Sequence, residues 1–169
     1  MNSENKLKAI TLNESLIQSS PHPFALLVSK DIDKKNVMGV SWYSFASLKP
    51  GKMIFILSEK SYTSKLLKMG SYVSLCVPKE SVKDIALSCS HTSGRDIDKV
   101  AKFGIDLVAG EDEKAWMIKE SNVAWVLKIN DKIHIDDHNL FVAVIISCHG
   151  DGTNEGLRAF EGYKRLDTI

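Results

Sequence analysis

Short apolar runs bounded by turn residues dominate the chain, and they predict a protein built mainly from strands. Residues 53–58 read MIFILS and residues 72–77 read YVSLCV, with glycine or proline close by. The predicted strands are residues 23–29, 37–45, 53–58, 72–77, 123–135 and 140–148. Residues 49–51 (KPG) predict a turn between the second and third strands. The last run is nearly all apolar, so we expect it to be buried on both faces.

Helical spacing occurs in the stretches between these runs. The predicted helices are residues 8–18, 61–69, 81–89 and 96–103. Ser61 is a plausible N-cap for the second helix, and Gly70 is a plausible stop for it. Gly104 follows the last helix in the same way. The helices therefore connect strands, without alternating strictly with them.

This order of elements favours a closed or partly closed antiparallel barrel over a doubly wound parallel sheet. No repeat or flexible linker divides the chain, so we expect one domain over residues 1–169. The glycine-rich signatures GxGxxG and GxxxxGK[ST] are both missing from the sequence. A Rossmann-type or P-loop nucleotide site is therefore not expected.

Composition narrows the class of protein further. A chain of 169 residues can bury a core without disulfides, and its net charge of +1 argues against nucleic-acid binding. Its three cysteines are scattered, with Cys76 and Cys148 inside apolar runs, and their spacing suggests no metal site. The N-terminus lacks the apolar core of a secretory signal, and residues 140–148 are too few to span a bilayer. We expect a cytoplasmic protein with reduced thiols.

Residues 59–65 (EKSYTSK) gather hydroxyl side chains and two lysines at the predicted start of the second helix. Free backbone N–H groups and the helix dipole make such a place suitable for an anion. The alternative is that Ser61 or Thr63 only caps the helix while the lysines are solvated. Taken alone, the segment favours capping, because capping residues are common.

Residues 90–99 (SHTSGRDIDK) form a second polar cluster. Arg95 and Lys99 are four residues apart, so they share one face if the helix begins by Arg95. A guanidinium and an ammonium on one face could bind a phosphate. The alternative is a capping turn with Asp96 and Asp98 in the first helical turn, and the spacing does not decide between the two.

The remaining polar and aromatic residues give no catalytic pattern. We find no Ser-His-Asp arrangement, no GxSxG elbow and no assignable pair of carboxylates. Trp42 is more typical of a core residue than of a ligand contact, and His138 of an exposed turn. The residues alone therefore predict a β-rich domain with two candidate anion sites.

Several segments in this order resemble the flavin-reductase-like, FMN-binding split-barrel family, and its flavoredoxin-type members in particular. They are NVM at 36–38, VSW at 40–42, YT at 62–63, VP at 77–78, SGRDIDK at 93–99, DH at 137–138 and GY at 162–163. The string at 93–99 is the most specific, and the resemblance extends over residues 15–165. The chain departs from the family at Lys49 and Gly51, where Asp-Pro-Pro is usual, and at Asp136, where glycine is usual.

The resemblance implies a Greek-key split barrel of about six strands that forms a homodimer and holds FMN near the dimer interface. Thr63 and Lys99 would serve the phosphate, while Asn36, Ser41 and Trp42 would follow the flavin and ribityl chain. The residues that it places at the cofactor are Asn36, Met38, Ser41, Trp42, Ser47, Ser58, Ser61, Tyr62, Thr63, Arg95, Lys99 and His138.

The function implied is an NAD(P)H-dependent flavin reductase, in which NADH or NADPH reduces FMN and the flavin passes electrons on. No protein acid or base is required. One alternative is a flavoredoxin-like electron carrier that a redox protein reduces, without NAD(P)H turnover. Another is a fold relative that has lost its flavin. We expect no nucleic-acid or membrane partner.

Overall fold

The computed structural model describes residues 7–110 and 113–169, in which strands hold many more residues than helices do. The strands are β1 (His22–Pro23), β2 (Ala25–Lys30), β3 (Lys35–Val40), β4 (Tyr43–Leu48), β5 (Gly51–Ser58), β6 (Tyr72–Pro78), β7 (Leu107–Ala109), β8 (Trp116–Ile118), β9 (Ser121–Ile135), β10 (His138–Gly150), β11 (Arg158–Phe160) and β12 (Arg165–Asp167). The helices are α1 (Leu12–Gln18), α2 (Tyr62–Leu66), α3 (Lys83–His91) and α4 (Lys99–Phe103), with a 3-10 turn at Glu80–Val82 before α3. The predicted fold class, a mainly antiparallel split barrel with inserted helices, is confirmed.

The main sheet has seven strands in the order β3-β2-β6-β9-β10-β5-β4. Strands β3 and β4 follow one another in the chain but form opposite edges of this sheet, so the sheet curls until its edges approach. The connection is fixed at Trp42, whose carbonyl accepts a hydrogen bond from the Ile56 N–H at 2.9 Å. We call residues 41–42 the corner.

The corner corrects one prediction. Residues 37–45 were expected to form a single strand, but the strand breaks after Val40 and the chain crosses to the other edge of the sheet. The apolar run continues through the break, so its pattern carries no signal of the change in direction. This break gives seven strands in the main sheet where about six were expected.

Two apolar clusters lie on the two sides of the main sheet. Strand β2 belongs to both, because Leu26 faces the cluster under α3 and β8, while Leu27 faces the barrel interior. In the interior, the rings of Phe55 and Phe141 stack with their centroids 5.1 Å apart. Because alternate residues of β2 pack into the two clusters, this strand joins the barrel interior to the cluster under α3 and β8.

Strand β10 is buried on one face, so the prediction that it is buried on both faces was wrong. Phe141 and Ala143 face the barrel and are fully buried, whereas Ile146 is 50% exposed and Cys148 is exposed. Strand β10 therefore carries apolar side chains on its outer face that no other part of the described chain buries fully. Cys148 is exposed although it lies in an apolar run of the sequence, while Cys76 and Cys89 are buried.

Helices α1, α2 and α4 are shorter than their patterns predicted, whereas α3 has the predicted length but begins two residues later, at Lys83. Helix α2 begins after Ser61, whose hydroxyl caps it by accepting from the Ser64 N–H, but it ends at Leu66. Helix α4 begins at Lys99, because the Asp98 side chain accepts from the Ala101 N–H and acts as the N-cap. Residues 93–97 therefore form a loop, which we call the 93–97 loop.

In the part of the chain that the structure describes, no helix is long and apolar enough to cross a membrane. Residues 1–6 and residues 111 and 112 lie outside the described ranges. The prediction about a secretory signal concerns the N-terminus and therefore falls partly on residues that are not described. The single domain over residues 1–169 stays a prediction.

Candidate functional site

Two adjoining cavities lie between the corner, the start of α2 and the 93–97 loop. The ring cavity, of about 250 Å³, is lined by Phe24, Met38, Gly39, Val40, Ser41, Trp42, Ile56, Leu57, Ser58, Ser90, His138 and Tyr163. The polar cavity, of about 440 Å³, is lined by Met38, Lys60, Ser61, Tyr62, Thr63, Cys89, Ser90, His91, Thr92, Ser93, Gly94, Arg95, Asp96 and Lys99. Met38 and Ser90 belong to both walls, so the cavities form one groove.

The polar cavity is built on a buried contact between α2 and β3. Thr63 is buried at the start of α2, and its Oγ1 accepts a hydrogen bond from Asn36 Nδ2 at 2.8 Å. Asn36 Oδ1 is buried and has no hydrogen-bond partner in the described chain. A Cβ on Gly94 would lie only 1.9 Å from that oxygen. Only a glycine therefore lets the 93–97 loop lie this close to β3.

Lys99 places a cation in the wall of the polar cavity while remaining 3% exposed. Its Nζ donates to the carbonyl oxygens of Val37 at 2.6 Å and Cys89 at 2.9 Å. No carboxylate of residues 7–110 and 113–169 pairs with it, and burial lowers its pKa. Burial also raises the pKa of Cys89, to about 11, so this thiol supplies no negative charge. An ammonium without a counter-ion at this depth favours the binding of an anion.

Arg95 also lines the polar cavity, but not as the spacing suggested. The condition for a helical face shared with Lys99 is not met, because α4 begins at Lys99 and Arg95 lies in the loop before it. Arg95 is exposed at the rim, while Lys99 is buried beneath it. The two cations thus reach one cavity from the rim and from the floor.

Four of the twelve residues that line the ring cavity carry an aromatic ring, and the others are mostly apolar residues and serines. Trp42 is 41% exposed, so the expectation of a core residue was wrong. Its Nε1 donates to the Tyr163 hydroxyl at 2.7 Å, and its ring lies 5.0 Å from that of His138. His138 begins β10 and does not lie free in a turn, since its Nδ1 lies 2.7 Å from the Asp137 carboxylate. This contact lowers the pKa of Asp137 and fixes the imidazole.

The groove gathers most of the residues that the sequence placed at a cofactor. Ser41 and Ser58 line the ring cavity, Ser61 and Tyr62 line the polar cavity, and Met38 lines both. Asn36 lies behind the wall and positions Thr63. Ser47 is not among the lining residues, because it sits along β4 opposite Lys52, away from the corner.

Sequence reasoning missed residues that allow elements to approach closely. A Cβ on Gly39 would lie 2.2 Å from Ser90 Oγ, so this glycine lets α3 pack against β3. Phe24 and Tyr163 also line the ring cavity. Tyr163 had a signal in the GY motif, whereas nothing local to Gly39 or Phe24 shows that distant segments meet there.

The arrangement suits one class of ligand. A basic, hydroxyl-rich cavity that opens into an aromatic one fits a molecule with an anionic end and a flat ring. The groove has no evident nucleophile with a partnered base, so its chemistry would come from the ligand.

Comparison with known proteins gives a consistent result. The model of the flavin reductase like domain family matches residues 17–167. Among solved structures, flavoredoxin from Methanosarcina acetivorans matches with a TM-score of 0.84 and 19% identity, over 98% of this chain and 91% of that one. The NADH:FAD oxidoreductase SgcE6 of Streptomyces globisporus C-1027, in complex with NAD and FAD fragments, matches with a TM-score of 0.76 and 17% identity, over 89% and 86%.

A curated relative is the uncharacterized protein YddH of Escherichia coli, 23% identical over 106 residues. The match covers 62% of this chain and 56% of that protein, little more than half of its length. At these identities the solved structures establish the fold, while the family rests on the family model.

The lowered pKa of Lys99 predicts a pH dependence of stability. Between that lowered value and the ordinary value of 10.5, the unfolded chain binds more protons than the folded one, so folding is favoured as pH rises. We expect the unfolding free energy of the wild type to increase relative to that of Lys99→Met as the pH is raised from the lowered pKa of Lys99 toward 10.5. Urea unfolding of both proteins measures it. A difference that is constant with pH would contradict the assignment of a buried, charged Lys99.

Proposed function

The chain belongs to the family of flavin reductase-like domains, whose model matches residues 17–167, and on this basis we propose that it binds FMN in the groove and is an NAD(P)H-dependent flavin reductase. The family makes it a flavin-related oxidoreductase. The choice of FMN, the nicotinamide reductant and the assembly are the proposal.

The residues of the groove fit FMN. The phosphate would lie in the polar cavity, near the Thr63 hydroxyl, the Arg95 guanidinium and the buried Lys99 ammonium. The isoalloxazine would lie in the ring cavity, against Trp42 and Met38. The observation that carries the proposal is a buried cation, unpaired with any carboxylate of the described chain, in a cavity that opens into an aromatic one.

Bound FMN would supply reversible two-electron redox chemistry. The protein's part is to bind and orient. Trp42 gives its N–H to Tyr163, so it offers a ligand its ring face, and the Asp137 carboxylate fixes the imidazole of His138. Met38 lines both cavities and would contact the ligand where the phosphate-binding and ring-binding walls meet. We assign no side chain as a catalytic acid or base.

The second candidate function is a flavoredoxin-like electron carrier that a redox protein reduces. The likeness to the Methanosarcina flavoredoxin over 98% of this chain favours it. The groove would hold FMN in the same way in a flavin reductase and in an electron carrier. The two functions differ in the reductant, which is NADH or NADPH for the first and a redox protein for the second.

We propose a homodimer through the outer face of strands β5, β9 and β10. Leu140 pairs with Ile56 on one side and Ile133 on the other, so the three side chains share this face. Ile133 and Ile135 are each 45% exposed, which leaves an apolar surface without cover from its own chain.

Sedimentation velocity tests this assembly. We expect a dimer for the wild type and a monomer for Ile133→Asp, because a carboxylate cannot be buried there without a partner. Val108→Asp introduces the same charge at a residue that is also 45% exposed, on β7, and should remain dimeric. A monomeric wild type, or equal dissociation of both variants, would contradict this interface.

FMN affinity tests the assignment of the polar cavity. Removing the exposed Arg95 guanidinium should weaken FMN binding about fivefold, and the difference should vanish in about 1 M salt because exposed charges are screened. Lys102→Ala removes the same charge from the exposed side of α4 and should bind as the wild type does. Fluorescence titration measures both, and equal affinities for Arg95→Ala and Lys102→Ala would rule out Arg95 as a phosphate contact.

Anaerobic reduction tests the reaction. Protein loaded with FMN should lose its flavin absorbance on mixing with NADH or NADPH, since the proposed function includes reduction by a nicotinamide. A yellow protein that stays oxidised with both reductants would instead support the electron carrier. A protein that binds no FMN would contradict both functions.

A further inference from the structure

The tight turn at residues 31–34 connects β2 to β3 and lies beside the polar cavity. Its ends are joined by the Asp31 N–H, which donates to the Lys34 carbonyl at 2.8 Å. Neither Asp31 nor Lys34 lines the polar cavity, yet each contacts a different wall of it.

Asp31 contacts the wall that α2 forms. Its Oδ2 accepts a hydrogen bond from the Tyr62 hydroxyl at 2.5 Å. This bond lowers the pKa of Asp31 and raises that of Tyr62, as expected for a phenol that donates to a carboxylate. Tyr62 is the first residue of α2, so the bond fixes where the helix begins relative to β2.

Lys34 contacts the opposite wall. Its Nζ donates to the carbonyl oxygens of Gly94 at 2.6 Å and Ile97 at 3.2 Å, across 60 or more residues of sequence. The same Nζ lies 5.8 Å from the centroid of the Tyr62 ring. The two loop carbonyls therefore point toward Lys34, and their negative ends are held by a cation of the protein.

Within the loop itself, the Arg95 N–H donates to Ser93 Oγ at 3.2 Å, whereas the bonds from Lys34 reach the loop from another part of the fold. Residues 93–97 lie outside any helix or strand, and Arg95 is exposed. The loop also has to lie against Asn36 through Gly94, where a displacement would open the cavity floor. The contacts of Lys34 are thus placed where they can fix the loop at the distance that the cavity requires.

We propose that Asp31 and Lys34 act as a clasp that sets the separation of the two walls and so makes the site select phosphorylated over unphosphorylated flavin. This inference rests on the proposed binding of FMN. Both are positioning residues, since they act through Tyr62 and the 93–97 loop. The clasp bears on the phosphate end of the groove, and it leaves the ring cavity at the corner unchanged.

Calorimetric titration with FMN and with riboflavin tests the clasp. For Lys34→Met we expect about tenfold weaker FMN binding with unchanged riboflavin binding, because only FMN carries the phosphate. Lys34→Arg, whose guanidinium can donate to both carbonyls, should restore the preference, and Asp31→Ala should reduce it as Lys34→Met does. Lys35→Met is the matched control, because Lys35 is the next residue and its Nζ lies over the Trp116 ring instead.

Two results would overturn the clasp. One is a preference for FMN in Lys34→Met and Asp31→Ala equal to that of the wild type, and the other is an equal loss of both flavins, which marks a general loss of structure. If the wild type binds neither flavin, that result refutes only the proposed function. Hydrogen exchange at residues 93–97 then tests the clasp by itself. Exchange there should be faster in Lys34→Met than in Lys35→Met, and equal exchange would refute the clasp. Should Lys34→Met fail to fold, Asp31→Ala and Lys34→Arg carry the same comparison.

Discussion

The buried ammonium of Lys99 is the constraint around which the site is organised. Moving a charge out of water costs several kcal/mol unless it is compensated, and the described chain offers only two carbonyl oxygens. Those carbonyls come from β3 and α3, so Lys99 joins the strand, the helix and the start of α4 at one point. Gly94 lies beside Lys99 and lets the 93–97 loop approach Asn36, which in turn donates a hydrogen bond to Thr63. An anion in the polar cavity would complete the compensation.

The barrel places an aromatic surface beside this charge. At the corner the chain leaves one edge of the sheet and enters the other, which carries Trp42 to within 5.0 Å of His138 at the start of β10. Met38, just before the corner, lies in the wall of both cavities. A ligand with a charged end and a flat end is therefore matched by two features with different origins. One is a buried cation held by carbonyls of β3 and α3, and the other is a ring cavity formed where the sheet closes.

The sequence predicted the elements better than their positions. Ser61 as an N-cap and the strands around Phe55 and Phe141 follow from local patterns, and they were confirmed. The corner at Trp42 was missed because a strand and a crossing have the same apolar composition. The start of α4 was misplaced because Asp96 and Asp98 were both expected in the first helical turn, whereas Asp98 is the N-cap of a helix that begins at Lys99. Two further features have no local signal because they depend on residues far apart in the chain. They are the close approaches at Gly39 and Gly94 and the hydrogen bond from Lys34 to the Gly94 carbonyl.

A crystal structure of the protein with FMN tests the central claim most directly, namely that the groove is one site with a phosphate end at Lys99 and a ring end at Trp42. The account predicts the phosphate in the polar cavity, within hydrogen-bond distance of Thr63 or Lys99, and the isoalloxazine against Trp42. FMN in the reverse orientation would contradict it, as would FMN bound only in the separate cavity of about 470 Å³ beside Lys30 and Tyr72.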